Sequence, residues 1–413
     1  NGFFPPDMIQ FSHSKRSRNM KPNYKATLNA SFTGYIVQAI VNNFVPLLFV
    51  IFQTDYRIPL SQITLLITVN FLVQLGVDLL SAGLVDKIGY RISIVTAHAF
   101  CIAGIVSLTL LPELFRNPFV GILISVMIYA VGGGLIEVLV SPIVEACPSD
   151  NKEKAMSLLH SFYCWGHVGV VLISTAFFAL FGTANWKILA LIWALVPLFN
   201  MIFFTRVPIN SLTPEEERGL GIKELLKTPA FWLLTVMMLC AGASEQAVSQ
   251  WASTFAEQGL GVSKTVGDIA GPMSFALLMG ISRLIYGKFG EKMNLNRFMI
   301  FSVLLCIASY LVIALVPIPA FGLIGCAICG FSVGILWPGT FSKASATIKN
   351  GGTALFAFLA LAGDVGCTVG PTLAGFVSDA SGNNLHIGIL SAIVFPAVML
   401  IGLLLSAKRK KES

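Results

Sequence analysis

The stretch GGGLIEVLVSP, residues 132–142, decides the fold, because it sets a carboxylate inside a continuous apolar run. The run extends from Phe119 to Val144 and is long enough to form a transmembrane helix. Glu137 lies near its middle, where an ionised carboxylate costs several kcal/mol unless it is paired, hydrated or protonated. The glycines allow another helix to approach the backbone closely, and Pro142 lets the helix bend. Glu137 is therefore a candidate binding or proton-handling residue, the alternative being a hydrogen bond that joins two helices.

The composition of the whole chain indicates a polytopic membrane protein rather than a soluble enzyme. Of the 413 residues, 55% are hydrophobic and 11% are charged, whereas soluble domains carry about 25% charged residues. The net charge of +7 does not indicate nucleic-acid binding, because the basic residues are scattered among loops. Eight cysteines lie mostly in apolar runs, and the CxxC spacing of Cys326 and Cys329 is interpreted as packing rather than redox or metal chemistry.

The amino-terminal segment lacks the apolar region of a cleavable signal peptide. Residues 1–19 are polar, and Met20 is a candidate natural start. These nineteen residues are interpreted as a remnant and are set aside from the fold argument.

Twelve apolar runs predict an all-α membrane protein with both termini on one side. Basic residues mark that side, because 23 Lys and Arg fall in the tails and even-numbered loops and four in the odd-numbered loops. By the positive-inside rule both termini are cytoplasmic in the cytoplasmic membrane. The predicted spans are 27–52, 61–84, 92–112, 118–142, 156–182, 186–205, 230–255, 266–286, 298–317, 319–341, 353–377 and 386–407.

One long cytoplasmic loop divides the chain into six helices plus six. Its Thr213-Pro214-Glu215-Glu216 sequence predicts a capped short helix, and residues 222–227 predict a second short turn on the membrane surface. The predicted organisation is an amino-terminal tail at 1–24, a six-helix bundle at 25–206, a linker at 207–229, a second bundle at 230–407 and a tail at 408–413.

The two halves repeat each other in three places, in one order and at nearly one offset. Gly83 to Arg91 matches the segment that begins at Gly287, 204 residues later. The prolines of Ser141-Pro142 and Trp337-Pro338 lie 196 residues apart, and Gly166-His-Val-Gly169 precedes Gly363-Asp-Val-Gly366 by 197. A duplicated six-helix bundle is the architecture of alternating-access transporters, with the substrate near the membrane midplane between the halves.

The segment from Gly83 to Arg91 resembles the loop 2–3 motif of the major facilitator superfamily, G-x-x-x-D-x-x-G-x-R/K. Gly83, Asp86, Gly89 and Arg91 stand in the motif, with Asp86 one place early. The resemblance implies the major facilitator fold of two pseudo-symmetric six-helix bundles, and a cytoplasmic gate in which Asp86 and Arg91 make charged contacts. Arg283, near the end of helix eight, is the fifth candidate gate residue, able to pair with Asp78 or to brace the second copy of the motif.

Three shorter motifs resemble the fucose–galactose–glucose:proton symporter family within that superfamily. They are Gly134 to Pro142 in helix four, Gly330 to Ser342 in helix ten and Ser157 to Phe162 at the start of helix five. The resemblance implies a sugar substrate and a coupling cation. Asn42-Asn43 stands where that family carries Asn-Asp in helix one, and the missing Asp leaves proton, sodium and uncoupled transport all open.

Polar side chains inside the apolar runs supply the candidate site. Gln38 and Asn42 lie one turn apart on one helix face, and an amide offers a sugar hydroxyl both donors and an acceptor. His167 and Asp364 are repeat-mates, and Trp251 is a candidate aromatic platform. The candidate substrate-binding residues are Gln38, Asn42, Asn43, Glu137, His167, Glu245, Gln246, Gln250, Trp251 and Trp337, and the candidate ion-coupling residues are Glu137, Glu245 and Asp364.

The leading functional prediction is a monomeric secondary active transporter that moves a small polar solute, a sugar above all, together with a cation. No nucleotide-binding loop, metal cluster or catalytic nucleophile motif is visible, so no enzyme activity, cofactor, metal or nucleic-acid partner is predicted. Two alternatives stay open, a drug/proton exporter and a non-transporting sensor on the same fold. Helix five lacks the proline of the exporter motif, which favours the first prediction.

Overall fold

A computed structural model describes residues 24–148, 152–210, 222–289, 293–348 and 352–412. These residues contain no β-strand and hold twelve helices long and apolar enough to cross a membrane, which confirms the predicted fold class. The spans, numbered α1 to α12, are Tyr24–Asp55, Leu60–Ser81, Tyr90–Leu114, Pro118–Glu145, Leu158–Phe181, Thr183–Arg206, Pro229–Gly259, Lys264–Tyr286, Leu295–Leu315, Pro319–Thr347, Leu355–Ala380 and Leu385–Ala407. Helical backbone continues beyond these spans to Ile88 in α2, to Phe289 in α8 and to Glu412 in α12, and it begins earlier at Lys152 in α5 and at Gly352 in α11.

The helices form two six-helix bundles, α1–α6 and α7–α12, which meet along an interface called the seam below. The start of α1 and the end of α12 lie at one end of the molecule, the terminal face, and the opposite end is the distal face. A short helix, Ile222–Lys227, precedes α7 where a surface turn is predicted. The predicted helix at Thr213 lies outside the described residues.

Two spanning helices are interrupted next to prolines. In α1 the α-helix Tyr24–Asn43 passes into a 3₁₀ turn, Val45–Leu48, that contains Pro46. In α10 the helix Pro319–Val333 stops and resumes at Leu336, two residues before Pro338. Proline has no N–H and crowds the carbonyl four residues earlier, so neither Pro46 nor Pro338 can supply the helical hydrogen bond to that carbonyl.

Glycine at a repeated position allows close helix packing in the second bundle. A methyl group at Gly366 of α11 would lie 2.0 Å from the carbonyl oxygen of Leu239 in α7. Its repeat-mate in α5, Gly169, has no neighbouring atom within 4 Å of the same position. The glycine is thus required by packing in one half, while the other half carries it without a steric need.

We expect Gly366→Ala to destabilise the protein and Gly169→Ala to leave its stability unchanged or raise it slightly. The added methyl group meets rigid backbone at position 366 and costs about 1–3 kcal/mol as overpacking, more than the roughly 1 kcal/mol of helix propensity that alanine gains over glycine. The thermal unfolding of the two variants in detergent, followed by size-exclusion chromatography after heating, measures the difference. Equal stability of the two would contradict the packing of α11 on α7.

Candidate functional site

The distal end of the seam is held by a partly buried cation. The Lys264 ammonium, at the start of α8, lies 3.1 Å from the carboxylate of Glu257 and 3.1 Å from that of Asp268. It also donates to the carbonyl oxygen of Leu47 at 2.8 Å. Leu47 belongs to the 3₁₀ turn of α1, so this one side chain connects the carboxylates of the second bundle to the backbone of the first.

Asp268 extends the same network across the seam. Its side chain is fully buried, at 0% exposure, and accepts from the Ser253 hydroxyl of α7 at 2.5 Å. The Thr175 hydroxyl of α5, in the first bundle, donates to its second oxygen at 3.4 Å. A buried carboxylate needs such partners to offset its lost hydration, and the donors to Asp268 come from both bundles.

Helices α2 and α11 add neutral contacts on the distal half of the seam. The backbone N–H of Ser61 donates to Asp379 Oδ1 at 3.2 Å, and the hydroxyls of Thr68 and Thr372 lie 2.6 Å apart. Residue numbers rise along α2 and fall along α11 from the first contact to the second, as antiparallel helices require. Together with the Lys264 network they close the distal face.

A connected group of amides surrounds Glu137 in the first bundle. The Gln38 amide donates to Glu137 Oε2 and to Gln74 Oε1, both at 2.9 Å. Asn42 Oδ1 accepts from Gln74 at 2.8 Å and from Asn70 at 3.3 Å. Each pair is spaced by four residues, Gln38 with Asn42 on α1 and Asn70 with Gln74 on α2, so two polar stripes face each other beside Glu137.

The second bundle contributes a carboxylate that is already paired. Glu245 of α7 forms an ion pair with Arg283 of α8 at 3.3 Å and accepts from Gln246 at 3.4 Å. The Gln250 amide donates to Gln246 Oε1 at 3.1 Å. Arg283 Nε also donates, at 3.4 Å, to the carbonyl oxygen of Gly334, the group that Pro338 cannot reach in α10.

Both polar groups reach across the seam. Gln250 donates to the backbone carbonyl oxygen of Asn42 at 3.2 Å, and Pro46 is the residue that leaves this carbonyl without its ordinary helical donor. The Arg283 guanidinium donates to the sulfur of Cys164 in α5 at 3.3 Å. The amides of one bundle and the ion pair of the other therefore form one polar centre at the seam.

The polar centre is buried on its distal side and partly exposed at its carboxylates. Gln250 is 2% exposed and Asp268 is 0% exposed. Glu137, Asp78 and Asp364 are each only partly buried.

The family model of the Major Facilitator Superfamily matches residues 30–371. The chain belongs to the Major Facilitator Superfamily. This match covers all helices of the polar centre, and it confirms the resemblance of the loop 2–3 motif. A comparison with curated proteins gives no match.

Solved structures with the same fold include two kinds of transporter. A bacterial homologue of the human lysosomal transporter Spinster, inward-facing and unoccupied, superposes with a TM-score of 0.76 at 14% identity, covering 94% of this chain and 98% of its own. A variant of the E. coli fucose:proton symporter FucP superposes with a TM-score of 0.64 at 16% identity, covering 93% and 99%. Identities this low show a shared fold and nothing finer.

The superfamily motif residues are only partly described, and the described ones make local contacts. Gly89 has a φ of +90°, which glycine adopts freely, and it separates α2 from α3. Arg91 donates to the carbonyl oxygens of Phe204 and Val207, at 2.8 Å each, at the end of α6. It thus accepts the role of donor to the last carbonyls of a helix in its own bundle. The gate prediction expected it to bridge to an acidic residue instead. The surroundings of Gly83 and the side chain of Asp86 lie outside the described part of the chain.

Arg283 also differs from its predicted position. It lies in the polar centre against Glu245 and Cys164, where a membrane-embedded cation finds a carboxylate, and not at the loop or beside Asp78. Asp78 of α2 and Asp364 of α11 are both partly buried.

Other predicted site residues are packed rather than open in this conformation. Trp251 is fully buried, with its ring 5.7 Å from that of Phe49 and its indole N–H donated to Pro371 O at 2.9 Å. His167 is buried as well. Trp337 lies against Gly363 of α11. Asn43 donates to the hydroxyl of Tyr163 at 3.3 Å.

Sequence reasoning missed five residues of the site: Asn70, Gln74, Cys164, Lys264 and Asp268. Asn70 and Gln74 carry the same four-residue signal that identifies Gln38 and Asn42, in a helix whose loop motif is the more conspicuous feature. Lys264 and Asp268 are also spaced by four, a pairing pattern for helices. Cys164 carries no such signal, since its role depends on where Arg283 points.

We expect Lys264→Met to open the distal face more often. The change leaves Glu257 and Asp268 without their cation inside the protein, and breaking a buried pair costs about 3–5 kcal/mol. Distances between spin labels at Asp55 and Ser381, one on each bundle at the distal face, measure the opening.

Lys187→Met is the matched control. Lys187 pairs with Glu113 at 2.5 Å, also near the distal face, but both side chains are exposed and both lie in the first bundle. Its loss should leave the label distances unchanged. A distance distribution in Lys264→Met that equals that of the control would show that the network does not hold the seam.

Proposed function

We propose that this Major Facilitator Superfamily protein is a secondary active transporter that moves a small polar solute, most consistent with a sugar, by alternating access coupled to protons. The single observation that carries the proposal is the polar centre at the seam. Its amides, two carboxylates and guanidinium come from both bundles, and the interface itself is where a rocking transporter handles its solute.

The chemistry of this centre favours a hydroxyl-rich solute. Gln38, Asn42, Gln74 and Gln250 offer paired donors and acceptors, which suits hydroxyl groups that both give and receive hydrogen bonds. Each amide now bonds to another amide, to a carboxylate or to the backbone. A solute that enters exchanges these bonds for its own, so little hydrogen bonding is lost on binding.

Ion pairing separates the roles of the two central carboxylates. Glu245 has the Arg283 guanidinium as its counter-ion, which suits a solute-binding and positioning group. Glu137 receives one amide hydrogen bond and, among the described residues, forms no ion pair. A carboxylate without a counter-ion in a low-dielectric site takes up a proton more readily, so Glu137 is the proposed proton carrier, with Asp364 as a second candidate.

The orientation follows from the loop charges. With 23 basic residues in the tails and even-numbered loops against four in the others, we place the terminal face in the cytoplasm and the protein in the cytoplasmic membrane. The closed distal face and the partly exposed centre then correspond to a cytoplasm-facing conformation. We propose that the protein works as a monomer, since one chain supplies both of the bundles that alternating access needs.

A drug/proton exporter is the first alternative and a non-transporting sensor is the second. An apolar drug is poorly matched by a centre of amides and charged groups, because the hydrogen bonds of these groups would be broken without replacement. A sensor needs no proton carrier at the seam. Uptake into liposomes discriminates the three.

We expect Glu137→Gln to abolish solute accumulation driven by a pH gradient while solute exchange continues. Glutamine keeps the size and the hydrogen bond to Gln38 but cannot carry a proton. Glu245→Gln should instead weaken solute binding, because it removes the counter-ion of Arg283. We expect a rise in Kd of about tenfold or more, a loss of roughly 1.4 kcal/mol or more in binding free energy. Purified protein is first screened by thermal shift against a sugar panel at two pH values, and the stabilising sugar is then used in proteoliposomes.

Full gradient-driven accumulation by Glu137→Gln would remove this residue from coupling. Stabilisation by apolar drugs and by no sugar would favour the exporter. The wild-type protein measured with a sodium gradient at constant pH separates the two candidate cations.

We expect a cysteine at Arg116 to react with a membrane-impermeant thiol reagent from outside the cell, and a cysteine at Lys223 to stay unreactive. Both positions are exposed, and they lie at opposite ends of the molecule. Permeabilised cells, in which both positions should react, provide the control. Labelling of Lys223 in intact cells would reverse the orientation.

A further inference from the structure

The first-bundle side of the polar centre has hydrogen-bond acceptors that no donor fills. Gln38 and Asn70 are 1% and 5% exposed, and in the described part of the chain Gln38 Oε1 and Asn70 Oδ1 receive no hydrogen bond. The nitrogens fix the orientation of both amides. Gln38 Nε2 donates to Glu137 and Gln74, and Asn70 Nδ2 donates to Asn42. Turning either amide over would set its oxygen against another oxygen, so the free positions are acceptors.

The polar stripe of α2 carries a third unfilled acceptor. Asn70, Gln74 and Asp78 are spaced by four residues, so they lie on one face of the helix. Asp78 Oδ1 is buried and accepts no hydrogen bond from the described residues. A buried acceptor that is left unpaired costs free energy. Three of them in one group favour a ligand that donates hydrogen bonds.

The same region holds more carboxyl groups than cations. Glu137, Asp78 and Asp364 form no ion pair among the described residues, since Arg283 is paired with Glu245. The antiparallel register of α2 and α11 brings Asp364 to within about one helical turn of the level of Asp78. The proposed coupling proton neutralises one carboxyl group and leaves two. Charged groups inside a membrane need partners, so this region favours a ligand that brings positive charge.

We propose that the transported solute carries a protonated amine, and that its ammonium group binds between α1 and α2 at Gln38 Oε1, Asn70 Oδ1 and the carboxyl group of Asp78. An ammonium group has three N–H donors, no acceptor and one positive charge. It therefore supplies both the donors and the charge that this region lacks, whereas a neutral hydroxyl brings one donor and no charge. The inference rests on the proposed function, because it names the solute class of the same centre.

The other amides keep the centre suited to hydroxyl groups. Asn42, Gln74 and Gln250 hold donors as well as acceptors, and they now bond to one another or to the backbone. A hydroxyl-rich solute replaces these bonds with its own. An amine on a hydroxyl-rich frame is an amino sugar, and a small amino alcohol is the simplest member of the same class.

The test compares three matched ligands on the purified full-length protein: glucose, glucosamine and N-acetylglucosamine, with the corresponding galactose set beside them. Binding is titrated by thermal shift at about pH 6.5, roughly one unit below the pKa of an ordinary α-amino group. We expect the amino sugar to bind about tenfold or more tightly than its parent hexose, because hydrogen bonds to charged groups are the stronger ones. The N-acetyl sugar should lose this advantage, since acetylation removes the charge and leaves one N–H.

The ratio of the hexose Kd to the amino-sugar Kd is the readout in the variants, because a general loss of binding lowers both affinities alike. Asn70→Leu removes an unfilled acceptor and Asp78→Asn removes a negative charge, so both should bring the ratio toward one. Two single variants are used so that poor folding of one still leaves a test. Thr68→Val is the matched control on the same helix, since it removes only the contact with Thr372 and should keep the ratio.

Each outcome of the titrations decides the matter. A hexose that binds as tightly as its amino sugar would overturn the inference and leave sugar transport standing. Binding of amino sugars and ethanolamine, with no hexose bound, would support the amine and remove neutral sugars from the proposed function. A ratio that is unchanged in both variants would overturn the assigned site. Stabilisation by sodium chloride over potassium chloride, with no gain from any amine, would assign the acceptors to an alkali-metal ion instead.

Discussion

Inside a membrane, a backbone carbonyl that lacks its helical donor has no water to accept a hydrogen bond from. The seam of this protein is arranged around that constraint. Pro46 deprives Asn42 O of its ordinary donor and Pro338 does the same to Gly334 O. The amide of Gln250 and the guanidinium of Arg283 supply the replacements. Two polar side chains are thereby fixed in position at the centre of the molecule, and both contact the first bundle, Gln250 at Asn42 and Arg283 at Cys164.

The same low dielectric divides the buried charges into two kinds. Lys264 lies between Glu257 and Asp268, and Arg283 is paired with Glu245, so these charged groups have partners and serve as fixed parts of the structure. The carboxyl groups of Glu137, Asp78 and Asp364 form no ion pair among the described residues. Their charge is costly and depends on a proton, so the groups able to respond to pH are the ones that the cations leave unpaired.

The fold was predictable from the sequence because its signals are local. Long apolar runs specify the spanning helices, and the repeated glycines and prolines specify two halves. The polar stripe of Gln38 and Asn42 could be predicted in the same way, from the spacing of four residues. Which partner each polar group takes depends on how α2, α8 and α11 rotate about their axes, and a sequence without an alignment does not contain that. Arg283 was therefore expected near a loop, and Trp251 was expected to be an aromatic platform, whereas its ring is fully buried here.

The polar contacts of the seam explain how the two bundles could separate on one side at a small cost in free energy. A neutral hydrogen bond such as that of Thr68 with Thr372 contributes about 1 kcal/mol net, because water replaces it when the bundles separate. An apolar seam of the same extent would lose its hydrophobic stabilisation each time it opened to water, at about 25 cal/mol per Å². Closure by several weak polar contacts and one partly buried cation network suits the proposed alternating access, which needs two conformations close in free energy. In that proposal, a bound solute or one proton is sufficient to change which face is open.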